Sequence, residues 1–366
     1  VSRYSSVKFD NIAAMKSANL VVGDVAMCKK YHSGGDLVAN LLYEIVAGGT
    51  GAVDNGRFHN LANGNQAQLI FNEGLDVLHF GARNGLATDS RQIIEAVFVI
   101  CRDAGLEMHV SGIFRIDAPM TWSSYSGTTF EVTVRFNNAR FVKNFNGVGL
   151  TCKGGTFVQK HYGDLYIDKM MNLGSGSGAN ATAGDYGFEM NCRILRFGLL
   201  YIQNQAGDSF VIDADENMNA SEFGTVQIRS CDGKGFTGFG TRDDCAIWTG
   251  NIWVNDCFEA GIYIPDNFPA RGWDMTMRGE NCAQDGTSDQ IYTGGMNASR
   301  ITGYTEDNSA GTGVEVHIPA ASDGVDFYTW RINKQTLSSP TCRLIQGNTI
   351  QLTANAATEG NVTSNL

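Results

Sequence analysis

Five carboxylates stand close together after two successive strand-like runs. Asp213, Asp215 and Glu216 lie in FVIDADENM, and Asp243 and Asp244 lie in FTGFGTRDDC beside Arg242. A third run, IYIPDNFPARGWD, brings Tyr263, Asp266, Arg271 and Trp273 into the same phase. Paired carboxylates do acid–base work on acetals. One carboxyl protonates the leaving oxygen and the other serves as base or nucleophile, about 5–10 Å away. Like charges that close push their pKa values apart, which suits that division of labour. Asp is also an ordinary turn residue, so composition alone does not decide the matter. The catalytic candidates are Asp213, Asp215, Glu216, Asp243 and Asp244. The substrate-contact candidates are Arg242, Trp248, Tyr263, Asp266, Arg271 and Trp273. Trp248 and Trp273 each precede a cysteine (Cys257, Cys282) by nine residues, and Glu222 holds that place before Cys231. The matched Glu222 suggests an outward position, where flat indole rings would meet a sugar. Trp253, aligned with Gln227 and Arg278, reads as outward too. A different kit, Lys160, His161, Tyr162 and Asp164 in KHYGD, would suit elimination on a uronic acid. No metal-ligand spacing occurs and no cofactor is implied.

The elements that position these residues repeat. YIQNQAGDSFVI, QIRSCDGKGFTG and WVNDCFEAGIYI share one pattern, with Phe210, Phe236 and Ile262 spaced 26 residues apart. Gln205, Cys231 and Cys257 keep the same spacing, Cys282 follows 25 later, and weaker copies flank the series, one of them near YGFEM (Tyr186–Met190). A period of about 25 with short strands in each copy predicts the coil of a right-handed parallel β-helix. Equivalent residues then stack at ~4.8 Å. Phe210, Phe236 and Ile262 become an inward apolar ladder, and the cysteines an inward thiol ladder whose role is packing. The fold class is therefore all-β.

Composition narrows the partners. The 366 residues carry a net charge of -11, with 18% charged residues, 44 Gly and 5 Pro. An acidic chain with no basic cluster is not a nucleic-acid binder. No run is long and apolar enough to suggest a membrane span, and the first residues do not form a signal peptide. The chain starts at Val1, which reads as a fragment or a processed form. Nine cysteines without a CxxC pair favour reduced, buried thiols and synthesis in a cytoplasm.

Four segments follow. Residues 1–72 form a small mixed α/β unit. In it FDNIAAMKSANL places Ile12, Met15 and Leu20 on a helix face with Asp10 as N-cap, and LLYEIV is a strand. Residues 73–106 hold a leading strand, LDVLHF, and a helix capped by Thr88 or Asp89. Its apolar residues Ile93, Ile94, Val97, Cys101 and Ala104 recur at helical spacing, and Gly105 stops it. That helix would cover the open edge of the first coil. Residues 107–345 are the β-helix, and 346–366 a polar C-terminal segment.

VLHFGARNGLATDSRQIIEAV (Val77–Val97) resembles the opening motif of the pectate-lyase-like β-helix superfamily, with Phe80-Gly81-Ala82 matched and the following Gly-Asp-Gly shortened to Asn84-Gly85. Val22–Ile70, with VGD, YHSGGD, YEIV, GTG and LANGNQAQLI in order, is similar to a small domain of bacteriophage tailspikes. Together the matches span residues 20–105. The resemblance implies a homotrimeric virion protein, made in the host cytoplasm, whose first domain joins the phage tail or an adaptor protein. It implies binding of a bacterial surface polysaccharide (capsule, exopolysaccharide or O-antigen) and its depolymerisation, by hydrolysis with the carboxylates above. The alternatives are a non-catalytic receptor-binding tail fibre, or a polysaccharide lyase using a Lys, His or Tyr base. The matched motif residues are structural and transfer no catalytic role.

Overall fold

A computed structural model describes residues 6–33, 40–71, 74–123, 131–159, 164–169, 183–213, 218–219, 221–240, 245–246, 248–306, 313, 315–329, 335–337, 343–347 and 361–365. The first unit is a five-stranded sheet of β1 (Ser6–Asn11), β2 (Val25–Lys30), β3 (Leu41–Val46), β4 (Phe58–Asn60) and β5 (Gln66–Leu69), in the order β1-β2-β3-β5-β4. β3 alternates as a one-face-buried strand should, with Leu41, Tyr43 and Ile45 inside. A one-turn helix, α1 (Ile12–Lys16), buries Ile12 and Met15. Its N-cap is Asn11, not Asp10: the Ala14 N–H donates to Asn11 Oδ1 at 2.9 Å, while Asp10 faces Lys29 at 3.1 Å.

The leading strand is shorter than its apolar run. It covers Gly74–Asp76, and Val77–Phe80 turn as a 3-10 helix. α2 (Arg91–Ala104) then buries Ile94, Val97, Phe98 and Cys101. Its N-cap is Ser90, not Thr88 or Asp89, and makes no side-chain cap; Asp89, one residue earlier, accepts the Arg91 N–H at 3.0 Å. Gly105, at φ +63°, ends it by donating to the carbonyls of Arg102 and Cys101. Phe98 stacks on Trp122 of the first coil at 5.1 Å, so α2 lies against the solenoid's opening end.

The solenoid has three parallel faces. The long face stacks Glu107–Ile116, Glu131–Lys143, Asp164–Lys169, the second half of Phe188–Gln205, Glu222–Cys231, Thr249–Cys257, Asp274–Glu280, Arg300–Glu306, Asp326–Thr329 and Arg343–Gly347. The second face stacks Met120–Ser123, Leu150–Gln159, the first half of Phe188–Gln205, Phe210–Asp213, Phe236–Phe239, Ile262–Ile264, Ile291–Thr293, Val316–Ile318 and Gln335–Leu337. The third is a column of two-residue strands: Met218–Asn219, Cys245–Ala246, Ala270–Arg271 and Met296–Asn297.

The expected ladders are present. Phe210 pairs with Phe236 and Phe236 with Ile262, and the Phe188, Phe210 and Phe236 rings meet edge-to-face at 5.1 Å. Gln205 pairs with Cys231 and Cys231 with Cys257, and Cys231, Cys257 and Cys282 are buried free thiols. Burial holds the Cys257 thiol far above its ordinary pKa, so it is a packing group and not a nucleophile. At the corner that ends the long-face strands, Asn204, Ser230, Asp256 and Asn281 take φ of 57°, 59°, 57° and 48° in one column. Asn and Asp tolerate that left-handed turn better than most residues with a Cβ.

Candidate functional site

Asp213 ends a second-face strand in which Phe210 and Ile212 point inward. On the preceding rung Glu189 lies between buried Phe188 and Met190, so alternation turns it outward. Glu189 pairs with Val211, two residues before Asp213. The two acids are therefore diagonal neighbours, one rung (~4.8 Å) and two residues (~6.6 Å) apart, or ~8 Å between their Cα atoms. Burial raises the Glu189 carboxyl above the usual carboxylate range, and Asp213 beside it raises it further. Thr151 Oγ1 reaches Glu189 Oε2 at 3.5 Å, and Asn191 Nδ2 donates to Asp213 Oδ2 at 2.7 Å, which orients that carboxylate. Phe239 follows Asp213 on the next rung and is 43% exposed. Beside them Asp208 is raised by burial and accepts the Lys234 N–H at 2.7 Å.

A second cluster lies farther along the same column, which runs Glu189, Val211, Thr237, Tyr263, Tyr292, His317. Tyr263 and Tyr292 stack at 4.9 Å, and Lys234 Nζ, paired with Glu259 at 2.9 Å, lies 5.4 Å from the Tyr263 ring centre. Asp266 accepts from the Tyr292 hydroxyl at 2.6 Å, and Asp289 binds His317 Nδ1 at 2.7 Å.

Of the expected site residues, Asp213, Tyr263 and Asp266 face this side of the solenoid. Arg271 is exposed on the third face, paired in register with Asn297. Asp215, Glu216, Arg242, Asp243 and Asp244 lie outside the described residues, as do Lys160, His161, Tyr162 and the Asp164 side chain. Trp248 and Trp273 are a correction. They are 0% and 1% exposed and stack on each other inside the solenoid at 4.7 Å, with Trp273 Nε1 donating to the Cys245 carbonyl at 2.7 Å. Neither ring is free to meet a sugar. The cause is a bulge. The strand Glu222–Cys231 has one residue more than Thr249–Cys257 between Phe223 and Val226, so Glu222 pairs with Thr249 and not with Trp248. A one-residue slip moves a side chain to the other face. Trp253 does lie in register with Gln227 and Arg278, half-buried on the outer surface with the Arg278 guanidinium 4.6 Å from its ring centre.

Glu189 does not share the position that marks the other acids, which follow the Phe-containing strand. Glu189 lies within such a strand, in a copy where Phe188 and Phe210 are 22 residues apart. The signal available was Phe-Glu-Met itself, an acid between two core residues. Among the described residues no group of three or more His, Cys, Asp or Glu is placed to hold a metal ion, and no helix is long and apolar enough to cross a membrane.

The fold is similar to that of the enzymatically active domain of bacteriophage CBA120 tailspike protein 2 (TM-score 0.61, 12% identity, covering 98% of this chain and 53% of that one). It is similar to the tailspike protein of Acinetobacter phage vB_ApiP_P1 (TM-score 0.58, 12% identity, 94% and 66%). It is also similar to Pantoea stewartii WceF, a glycan biofilm modifying enzyme with a bacteriophage tailspike-like parallel β-helix fold (TM-score 0.52, 11% identity, 98% and 51%). This chain thus spans between half and two thirds of the length of those proteins, and the likeness is one of fold. No protein-family model and no curated protein sequence matches the chain.

Proposed function

We propose that this chain is a phage tailspike protein that binds a bacterial surface polysaccharide and shortens it by hydrolysing glycosidic bonds. The observation that carries the proposal is the Glu189–Asp213 pair. Glu189 keeps its proton to higher pH than an ordinary carboxyl, because burial and the neighbouring Asp213 both disfavour its charge. It is the general acid, giving that proton to the leaving oxygen as the bond from C1 breaks. Asp213, oriented by Asn191, takes a proton from the water that attacks C1 from the opposite face. With the water placed between the two carboxyl groups, the proposed reaction inverts the anomeric configuration. The exposed ring of Phe239, one rung on, offers an apolar surface to a pyranose beside the pair. Residues 1–72 serve attachment to the virion tail or its adaptor protein, and the working particle is a homotrimer, which sedimentation would check.

The test is release of reducing ends from capsular, exopolysaccharide and O-chain preparations. Glu189→Gln and Asp213→Asn should each lower the rate about 100-fold or more while the glycan still binds. Cleavage by either variant at the wild-type rate would remove the pair from the mechanism. New ultraviolet absorbance from an unsaturated uronate would make the reaction an elimination instead.

A further inference from the structure

We propose that Tyr263, Asp266, Asp289, Tyr292 and His317 form a second saccharide-binding site, separate from the cleavage pair, that grips the hydroxyl groups of the polysaccharide and tethers it while it is cut elsewhere. The proposal rests on the polysaccharide reading above. The three rings occupy consecutive rungs, Tyr263 in register with Tyr292 and Tyr292 with His317. Tyr263 and Tyr292 stack 20° from parallel, and His317 meets Tyr292 edge-on at 4.9 Å and 85°. Stacking along the axis uses up the ring faces, so edges and polar ends are left toward solvent, and all three residues are half-buried.

Those polar ends are fixed. The Tyr292 hydroxyl donates to Asp266 Oδ1 at 2.6 Å, which leaves the Tyr292 oxygen as an acceptor. A carboxylate only accepts, so the 2.7 Å contact to Asp289 Oδ2 puts a proton on His317 Nδ1, holds the ring in place and leaves Nε2 for a sugar hydroxyl. Asp266 is itself exposed, with further acceptor positions open. A structural aromatic ladder needs the stacking but not two carboxylates orienting its polar ends. Polar groups held in place in this way suit sugar hydroxyls and lose little freedom on binding. Carboxylates on both sides make the site a poor one for a polyanionic segment, so the ligand is an uncharged, hydroxyl-rich stretch of the chain.

The site is separate from the acids. Tyr263, Tyr292 and His317 are three, four and five rungs from Glu189, ~14, ~19 and ~24 Å at ~4.8 Å per rung. Val211 and Thr237, between Glu189 and Tyr263 on this column, are 0% and 6% exposed, so the column itself offers no exposed side chain between the two clusters.

The experiment measures binding in a Glu189→Gln background, so that the ligand is not consumed. The probes are capsular and O-chain polysaccharides from strains to which the wild-type protein adsorbs, with dextran as control. Tyr292→Phe, which keeps the stack, and His317→Ala should each weaken binding about tenfold, the yield of one or two hydrogen bonds. In the otherwise wild-type protein they should leave the cleavage rate on fragments of two or three sugars within about twofold, because such fragments do not span the four rungs, ~19 Å, from Glu189 to Tyr292. Unchanged binding, or an equal fall in short-fragment cleavage, would overturn the proposal. If the wild type releases no reducing ends but binding still falls in both variants, hydrolysis is wrong and the tethering site stands. If no polysaccharide is bound at all, both readings fall.

Discussion

Lys143 and Asp185 form an ion pair with both side chains wholly buried, and the pair holds the turn that leads into the strand bearing Glu189. Lys143 Nζ donates to Asp185 Oδ1 at 3.0 Å, to the Tyr186 carbonyl at 2.7 Å and to Gln205 Oε1 at 2.9 Å. That engages all three protons of the ammonium. Asp185 in turn accepts the Gly147 N–H at 2.8 Å and the Ala206 N–H at 3.0 Å. Lys143→Met keeps the aliphatic stem but leaves the Asp185 charge buried without its cation. Breaking a buried pair from one side costs about 3–5 kcal/mol, and the two backbone donors that remain put this case near the lower figure. Urea denaturation at neutral pH should show that loss. Asp185→Asn added to Lys143→Met removes the stranded charge and should recover part of it. Cleavage should fall too, because Tyr186 and Glu189 lose their anchor. A loss below about 1 kcal/mol, or a double variant no more stable than the single one, would show that the charges are solvated and the reasoning wrong.

Trp273→Ala should behave as a core deletion, costing about 3–5 kcal/mol in thermal or urea unfolding, and should leave glycan affinity unchanged well below the melting temperature. His59 is buried against Tyr43, and burial lowers its pKa from 6.5 to about 4. The unfolded chain therefore takes up the proton first, and stability is lost as pH falls from 6.5 toward 4, by about 3 kcal/mol. An imidazole titration by NMR with a midpoint near the ordinary value would refute this. Asn281, at φ 48°, donates to Asp256 Oδ1. Both Asn281→Gly and Asn281→Val lose that bond, but only Val resists the left-handed backbone, so denaturation should find Val about 1–2 kcal/mol worse than Gly.

The solenoid is legible in the sequence because stacking imposes like residues on like positions. Phe210, Phe236 and Ile262 face the same neighbours one coil apart, and so share a residue class at a constant interval. The site is less legible because its chemistry comes partly from segments under no such constraint. Asp266 and Asp289 lie in turns between strands, and what makes them functional candidates is the hydroxyl or imidazole each one meets from another rung. Glu189 is on a strand, but its interval to the next copy is 22 residues, so a search at the longer period passes over it. The pairing with Asp213 is spatial, and linear spacing does not mark it.

Trp248 and Trp273 show where a period stops being enough. Counting nine residues back from Cys257 reaches Trp248, and nine back from Cys231 reaches Glu222, an exposed acid. The extra residue between Phe223 and Val226 breaks that equivalence, because Glu222 pairs with Thr249 and the rung partner of Trp248 is the buried Ser221. On the other side Thr249 pairs with Asp274 and Asp274 with Arg300, which puts Trp273 above Trp248 and buried Ser299 above Trp273. The column is thus serine, tryptophan, tryptophan, serine. Each serine hydroxyl accepts a backbone hydrogen bond, Ser221 Oγ from the Leu195 N–H at 3.1 Å and Ser299 Oγ from the Trp273 N–H at 3.0 Å. Small residues at both ends of the column accommodate two indoles, and the bond from Trp273 to the Cys245 carbonyl ties the third face to the core. The tryptophans therefore act on the outer surface through the backbone they support. Cys245–Ala246 in turn pairs with Ala270–Arg271 on the next rung.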